Sequence, residues 1–111
     1  MVELIRLSEV KASANPRGEE VRFLVNRDSI SVVMLSLPPN GAVPVHETPV
    51  DVLFYIANGR GEVTIGEETA PVQAGDFVVS PAKIPHGLKA AADLKLEVFV
   101  IKTPNPKKVT G

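Results

Sequence analysis

The chain reads as an all-β sandwich or barrel. Three features carry that expectation. The β-branched residues gather in short clusters. Turn residues separate these clusters at roughly 8–12-residue spacing. Ten prolines and eight glycines are spread through the 111 residues. No window of about 15 residues therefore keeps a helical period free of breakers.

The elements follow in order. Lys11 to Glu20 reads as a loop or a helical turn. Val21-Arg22-Phe23-Leu24-Val25 forms a first strand and Ile30 to Leu37 a second. Pro38-Pro39-Asn40-Gly41 closes the second, because proline cannot donate to a central ladder. Val52 to Ile56 and Gly61 to Ile65 come next, with Asn58-Gly59 as a hairpin turn between them, since both residues tolerate positive φ. Gly66-Glu67-Glu68 is a weaker turn signal. Thr69 to Val72 follows, and its Pro71 suits a sheet edge or a strand end. Asp76 to Ser80 and Leu94 to Lys102 complete the set. Residues 1–111 make one domain, with a flexible polar tail expected at 104–111.

Composition excludes several functions. A net charge of −1 argues against a nucleic-acid surface, and 5% aromatic residues argue against a base-stacking platform. The absence of cysteine removes disulfides, thiolate metal ligands and a cysteine nucleophile. No apolar run approaches the roughly 20 residues that span a bilayer. Acidic and polar residues interrupt Met1 to Arg6 before an apolar signal region forms. The expectation is a cytoplasmic protein without a membrane or nucleic-acid partner.

The only histidines, His46 and His86, stand 40 positions apart, and each follows a proline-bearing bend. Two imidazoles at matching places in two strand-rich halves can converge inside a barrel. Neutral imidazole is the commonest metal ligand, yet catalytic metal sites usually take at least three protein ligands. The plainer alternative is that each histidine is a separate, hydrogen-bonded residue of the barrel rim. Ser36 and Ser80 lack a base and an orienting acid at recognisable spacing, so a Ser-His-Asp triad is unsupported. Met34 and Phe54 read as core or pocket wall. Tyr55 alternates away from Phe54, toward an outer face that would suit a homodimer if apolar and exposed.

Around these histidines the sequence resembles the cupin family. The family's first motif is G-x5-H-x-H-x3,4-E-x6-G, and its second is G-x5-P-x-G-x2-H-x3-N. Here Asn40 stands for the first glycine, His46 matches the first histidine, and Gly59 closes the first motif. Thr48 stands where the second histidine belongs, and Val52 or Leu53 where the glutamate belongs. In the second motif Gly75, Pro81 and His86 match, while Lys83 replaces the glycine and Ala90 the asparagine. The resemblance implies a cupin-like double-stranded β-helix, or jelly-roll, barrel. It also implies a metal held by three histidines and a glutamate, of which only His46 and His86 carry over.

Strand alternation puts Thr48 on the side of His46 and turns Glu47 outward. Asp51 could replace the missing glutamate only if the turn at Pro49 shifted the register by one. The expected function is binding of a small molecule in the barrel interior, lined by His46, Thr48, Val52, Phe54 and His86. The divalent-metal site there, at His46 and His86, is expected to be degenerate, weak or absent. The alternative is a metal-dependent dioxygenase, isomerase or decarboxylase that uses the two histidines. Catalytic residues and the metal's identity stay unassigned.

Overall fold

A computed structural model describes residues 1–107 of the protein. A short 3₁₀ turn, Leu7–Glu9, precedes ten strands. They are β1 (Ser13–Ala14), β2 (Glu20–Arg27), β3 (Ile30–Leu37), β4 (Ala42–His46), β5 (Asp51–Asn58), β6 (Arg60–Ile65), β7 (Glu68–Gln73), β8 (Phe77–Ser80), β9 (His86–Ala90) and β10 (Leu96–Thr103). All pairings are antiparallel. One sheet has the order β1-β2-β3-β10-β5-β8, and the other β4-β9-β6-β7. From β3 onward the chain steps repeatedly from one sheet to the other, which makes the sandwich a jelly roll.

Period-two alternation fills the space between the sheets. Leu96, Val98 and Val100 of β10 face inward, paired across the ladder with Leu37, Leu35 and Val33 of β3. On the other side β10 meets β5, where Val52, Phe54 and Ile56 share the inner face. Val43, Val63, Val72 and Leu88 close the core from the smaller sheet. Met34 meets the core half of its expectation and not the pocket-wall half. It is buried, but on the outer face, level with Arg22 and Phe99. Its parity in β3 is opposite to that of Leu35 and Leu37, so it cannot line the interior.

The expected seven strands are present with ends shifted by a residue or two, and the expected loop before Glu20 carries the short β1. Asn58-Gly59 turns out to be a corner, not a hairpin. β5 lies in the larger sheet and β6 in the smaller, so no ladder joins them. The φ of Gly59 is +85°, and a Cβ there would run into the carbonyl oxygen of Lys95. The true hairpin is the weaker signal, Gly66-Glu67, where Ile65 pairs with Glu68 across a two-residue loop. Pro71 sits on β7, an edge strand, as its missing N–H requires.

The expected tail begins with an anchored stretch. Asn105 is buried, its amide donates to the Asn26 side chain at 2.7 Å, and its backbone N–H reaches the Asp28 carbonyl. That ties the end of β10 to the β2–β3 turn. The remainder of the expected tail, 108–111, lies outside the described residues.

Candidate functional site

The two histidines meet because β4 and β9 pair. His46 and His86 are cross-strand partners at one end of this ladder. Their rings stand edge to face, with centroids 4.7 Å apart. A register shift between Val43 and His46 lets the strand pass Pro44 at the sheet edge and still aim His46 at its partner.

His86 is 4% exposed, and both ring nitrogens are engaged. Nδ1 lies 2.7 Å from the Ser80 hydroxyl and Nε2 lies 3.3 Å from the Thr48 hydroxyl. Each hydroxyl can donate or accept, so a neutral imidazole in either tautomer is satisfied. Phe54 presents its ring at 5.1 Å, nearly perpendicular to the imidazole. Burial, followed by the positive charges at His46, Lys102 and Arg17, pushes the His86 pKa down to about 4. The ring is therefore neutral near pH 7.

His46 is half-buried and differently held. Its Nδ1 lies 2.9 Å from the Pro44 carbonyl oxygen, which can only accept. Nδ1 is therefore the N–H donor, and in the neutral ring the lone pair belongs to Nε2. Val52 is buried, cross-strand from Ser80 on one side and Lys102 on the other. His46, Thr48, Val52, Phe54 and His86 thus converge on one end of the barrel.

Ser80 belongs to this group although nothing in a triad pattern marks it. It is fully buried, and Thr48, not an acid, occupies the far edge of His86. The signal that finds it is strand parity, because Val78 and Ser80 share the inner face of β8 beside Phe54 and Val52. Asp51 keeps to the exposed side, where its carboxylate accepts from the Ala82 N–H at 2.8 Å. Glu47 is exposed. Glu19 accepts from Asn15 and Arg17; burial alone would raise its pKa, but these bonds and the nearby positive charge hold its carboxyl below the usual range.

These donors do not fit the four-ligand metal centre. Among the described residues no three His, Cys, Asp or Glu side chains form a metal-holding group. The hydroxyls take both nitrogens of His86, which leaves a single imidazole lone pair, at His46 Nε2. A hydroxyl is a poor substitute for the carboxylate that would offset a dication's charge.

The sequence model of the Cupin domain matches residues 33–102. An uncharacterized protein of Streptomyces coelicolor is 28% identical over 104 residues, spanning 93% of this chain and 97% of that protein. Among solved structures, KdgF from a Halomonas species superposes with a TM-score of 0.86 at 18% identity, over 95% of this chain and 97% of that one. A predicted oxalate decarboxylase of Thermotoga maritima superposes with a TM-score of 0.81 at 21% identity, over 93% and 100% of the two chains. At these identities the two solved structures are shared fold alone.

Proposed function

The chain belongs to the cupin family, and we propose that within it this protein binds a small molecule in the barrel end without a metal centre. The observation that carries this reading is the double clamp on His86. An imidazole bonded by Ser80 and Thr48 and kept neutral by burial is a finished structural element. It forms the polar floor of the site. His46 Nε2 is the group left to meet a ligand, accepting from an O–H or N–H. Phe54 and Val52 supply the apolar wall. Barrel mouths of this kind are recurrent ligand sites. The reading includes a homodimer formed through the outer face of the larger sheet.

A thermal-shift screen on chelator-treated protein, made without a polyhistidine tag, tests this. Small organic molecules should raise the melting temperature by several degrees when present well above their dissociation constants. The His46→Ala variant should lose most of that gain. Elemental analysis of the same protein should show no stoichiometric metal. A near-stoichiometric metal that disappears in the His46→Ala or His86→Ala variant would overturn the reading and favour the metal-dependent enzyme.

A further inference from the structure

Lys102 stands where an apolar residue would continue the core. On β10 it follows Leu96, Val98 and Val100 on the inner face. Its ladder partners there are Ser31 on β3 and Val52 on β5, and Val52 is in turn partnered by Ser80. The row Ser31, Lys102, Val52, Ser80 crosses the inside of the larger sheet and ends at the serine that holds His86.

Among the described residues its charge has no ion-pair partner. The ion pairs among the described residues join Arg17 to Glu19, Arg22 to Glu20, Arg27 to Glu3, Arg60 to Asp93 and Lys95 to Glu97. None involves Lys102, although it is substantially withdrawn from solvent. Placing a cation in such a position without an anion costs free energy. The pKa of Lys102 responds as expected, lowered first by burial and then by the charges of Lys107 and Arg17.

Lys102 lines a cavity of about 150 Å³. That is about five water volumes at ~30 Å³ each. Ser31 and Asn105 add polar groups to its lining, and Phe23 and Val33 add apolar ones. Phe23 is cross-strand from Val33, so it is on the inner face, yet it is 55% exposed. Among the described residues, a largely exposed inward phenyl ring thus stands beside a cation with no ion-pair partner, two groups with opposite preferences. One molecule can satisfy both.

We propose that this cavity takes a small organic acid, whose carboxylate is met by Lys102 and whose apolar part lies against Phe23. The cavity neighbours the histidine site only through the Lys102–Val52 pairing, and no residue of that site lines it, so it is a second site. Arg17 is already committed to Glu19 at 3.0 Å and does not line the cavity, so it does not make the contact. A charge-assisted N–H to carboxylate bond in this partly dry setting is stronger than one at the surface.

The test compares wild type with Lys102→Met, which keeps the stem and removes the charge. The probes are small aliphatic and aromatic monocarboxylates, with the matched primary amides, inorganic phosphate and sulfate as controls, all at constant ionic strength. The unliganded Lys102→Met protein should melt at or above the wild-type temperature, because a charge without an ion-pair partner has gone. Carboxylates should raise the wild-type melting temperature, and the dissociation constant of the best acid should rise tenfold or more in Lys102→Met. Phe23→Ala should weaken the same acid while leaving acetate little changed. Equal affinity for acids in both proteins would overturn the proposal. So would stabilisation by the amides alone, which would make the cavity's ligand a neutral molecule. Stabilisation by phosphate and sulfate alone would replace the organic acid with an inorganic anion. If nothing of either charge binds, this proposal falls, and the reading of the histidine site is decided by its own screen with His46→Ala.

Discussion

Ser80 and Thr48 grip the two edges of one imidazole, and the consequence is sharpest for pH. The unfolded chain takes up a proton on His86 near its ordinary pKa of 6.5, whereas the folded protein resists until about 4. The folded state therefore binds fewer protons in this window, and stability falls as pH drops through it. The contribution is fully present above 6.5 and is lost progressively toward 4, a difference of ~3 kcal/mol. Urea unfolding at pH 7.5 and 4.5, with the His86 ring nitrogens followed by NMR, should show a ring that stays neutral until the protein is close to unfolding. A ring that titrates near 6.5 in the folded state would contradict the clamp. Removing one jaw leaves a buried nitrogen without a partner, so Ser80→Ala should cost about 1–3 kcal/mol by denaturant unfolding.

Lys83 is also legible at this scale. It occupies the second motif's glycine position and keeps the backbone that glycine would adopt, with φ at +68°. Asn40, at the first motif's opening glycine, does the same at +64°. The sequence shows the substitutions but not whether the loops would keep the left-handed geometry. They keep it because the surrounding backbone bonds demand it. The Lys83 N–H donates to the Thr48 carbonyl at 2.8 Å, and the Asn40 N–H to the Ala91 carbonyl at 2.7 Å. Returning glycine at position 83 relieves the Cβ strain at some cost in unfolded-state entropy. Lys83→Gly should therefore stabilise by about 0.5–1 kcal/mol, read as an upward shift in melting temperature.

Among the elements, β-branched clusters found the long strands, because β-propensity and period-two burial agree there. β4 and β9 were visible only as segments next to the histidines. Ala42-Val43-Pro44-Val45-His46 contains a proline, and His86-Gly87-Leu88-Lys89-Ala90 contains a glycine, both weak strand signals. The structure uses those irregularities. Pro44 lies on an edge, and a Cβ at Gly87 would press within 3.0 Å of the Val43 carbonyl oxygen, so the small residue lets the histidine ladder close. The corner at Gly59 reads as a hairpin for a related reason. A glycine with positive φ serves a hairpin and a sheet-to-sheet crossing equally, and local sequence does not distinguish them. With positive φ and the Lys95 carbonyl against its missing Cβ, Gly59→Ala should cost about 2 kcal/mol or more in chemical denaturation.

For the whole molecule, pairing was the hidden variable. β10 lies between β3 and β5, so the last strand joins partners laid down far earlier in the chain. Nothing local announces that Lys102 will lie beside Val52, and a cation at a strand end reads as solvated until the register is known. The outer face of the larger sheet was anticipated from Tyr55 alone. It carries Tyr55 between Phe77 and Phe99, with centroids at 4.6 and 6.1 Å, and Phe77 and Val79 are each about two-thirds exposed on the edge strand β8. An apolar patch of this kind on a sheet edge suits a second copy. Sedimentation velocity should find a dimer for wild type and a monomer for the Phe77→Glu/Val79→Lys double variant. A monomeric wild type at micromolar concentration would refute the dimer.

The Asn105 clasp fastens the end of β10 beside the Lys102 cavity, and Lys107 lies on that cavity's lining. Because the chain has no cysteine of its own, a Lys107→Cys variant would carry one chemically unique handle at the lip. A polarity-sensitive dye coupled there would sit within reach of an incoming acid yet away from the histidine clamp. Its fluorescence would turn the barrel into a reagentless optical sensor, and unidentified compounds in a cell extract could be fractionated by following the colour of the protein itself.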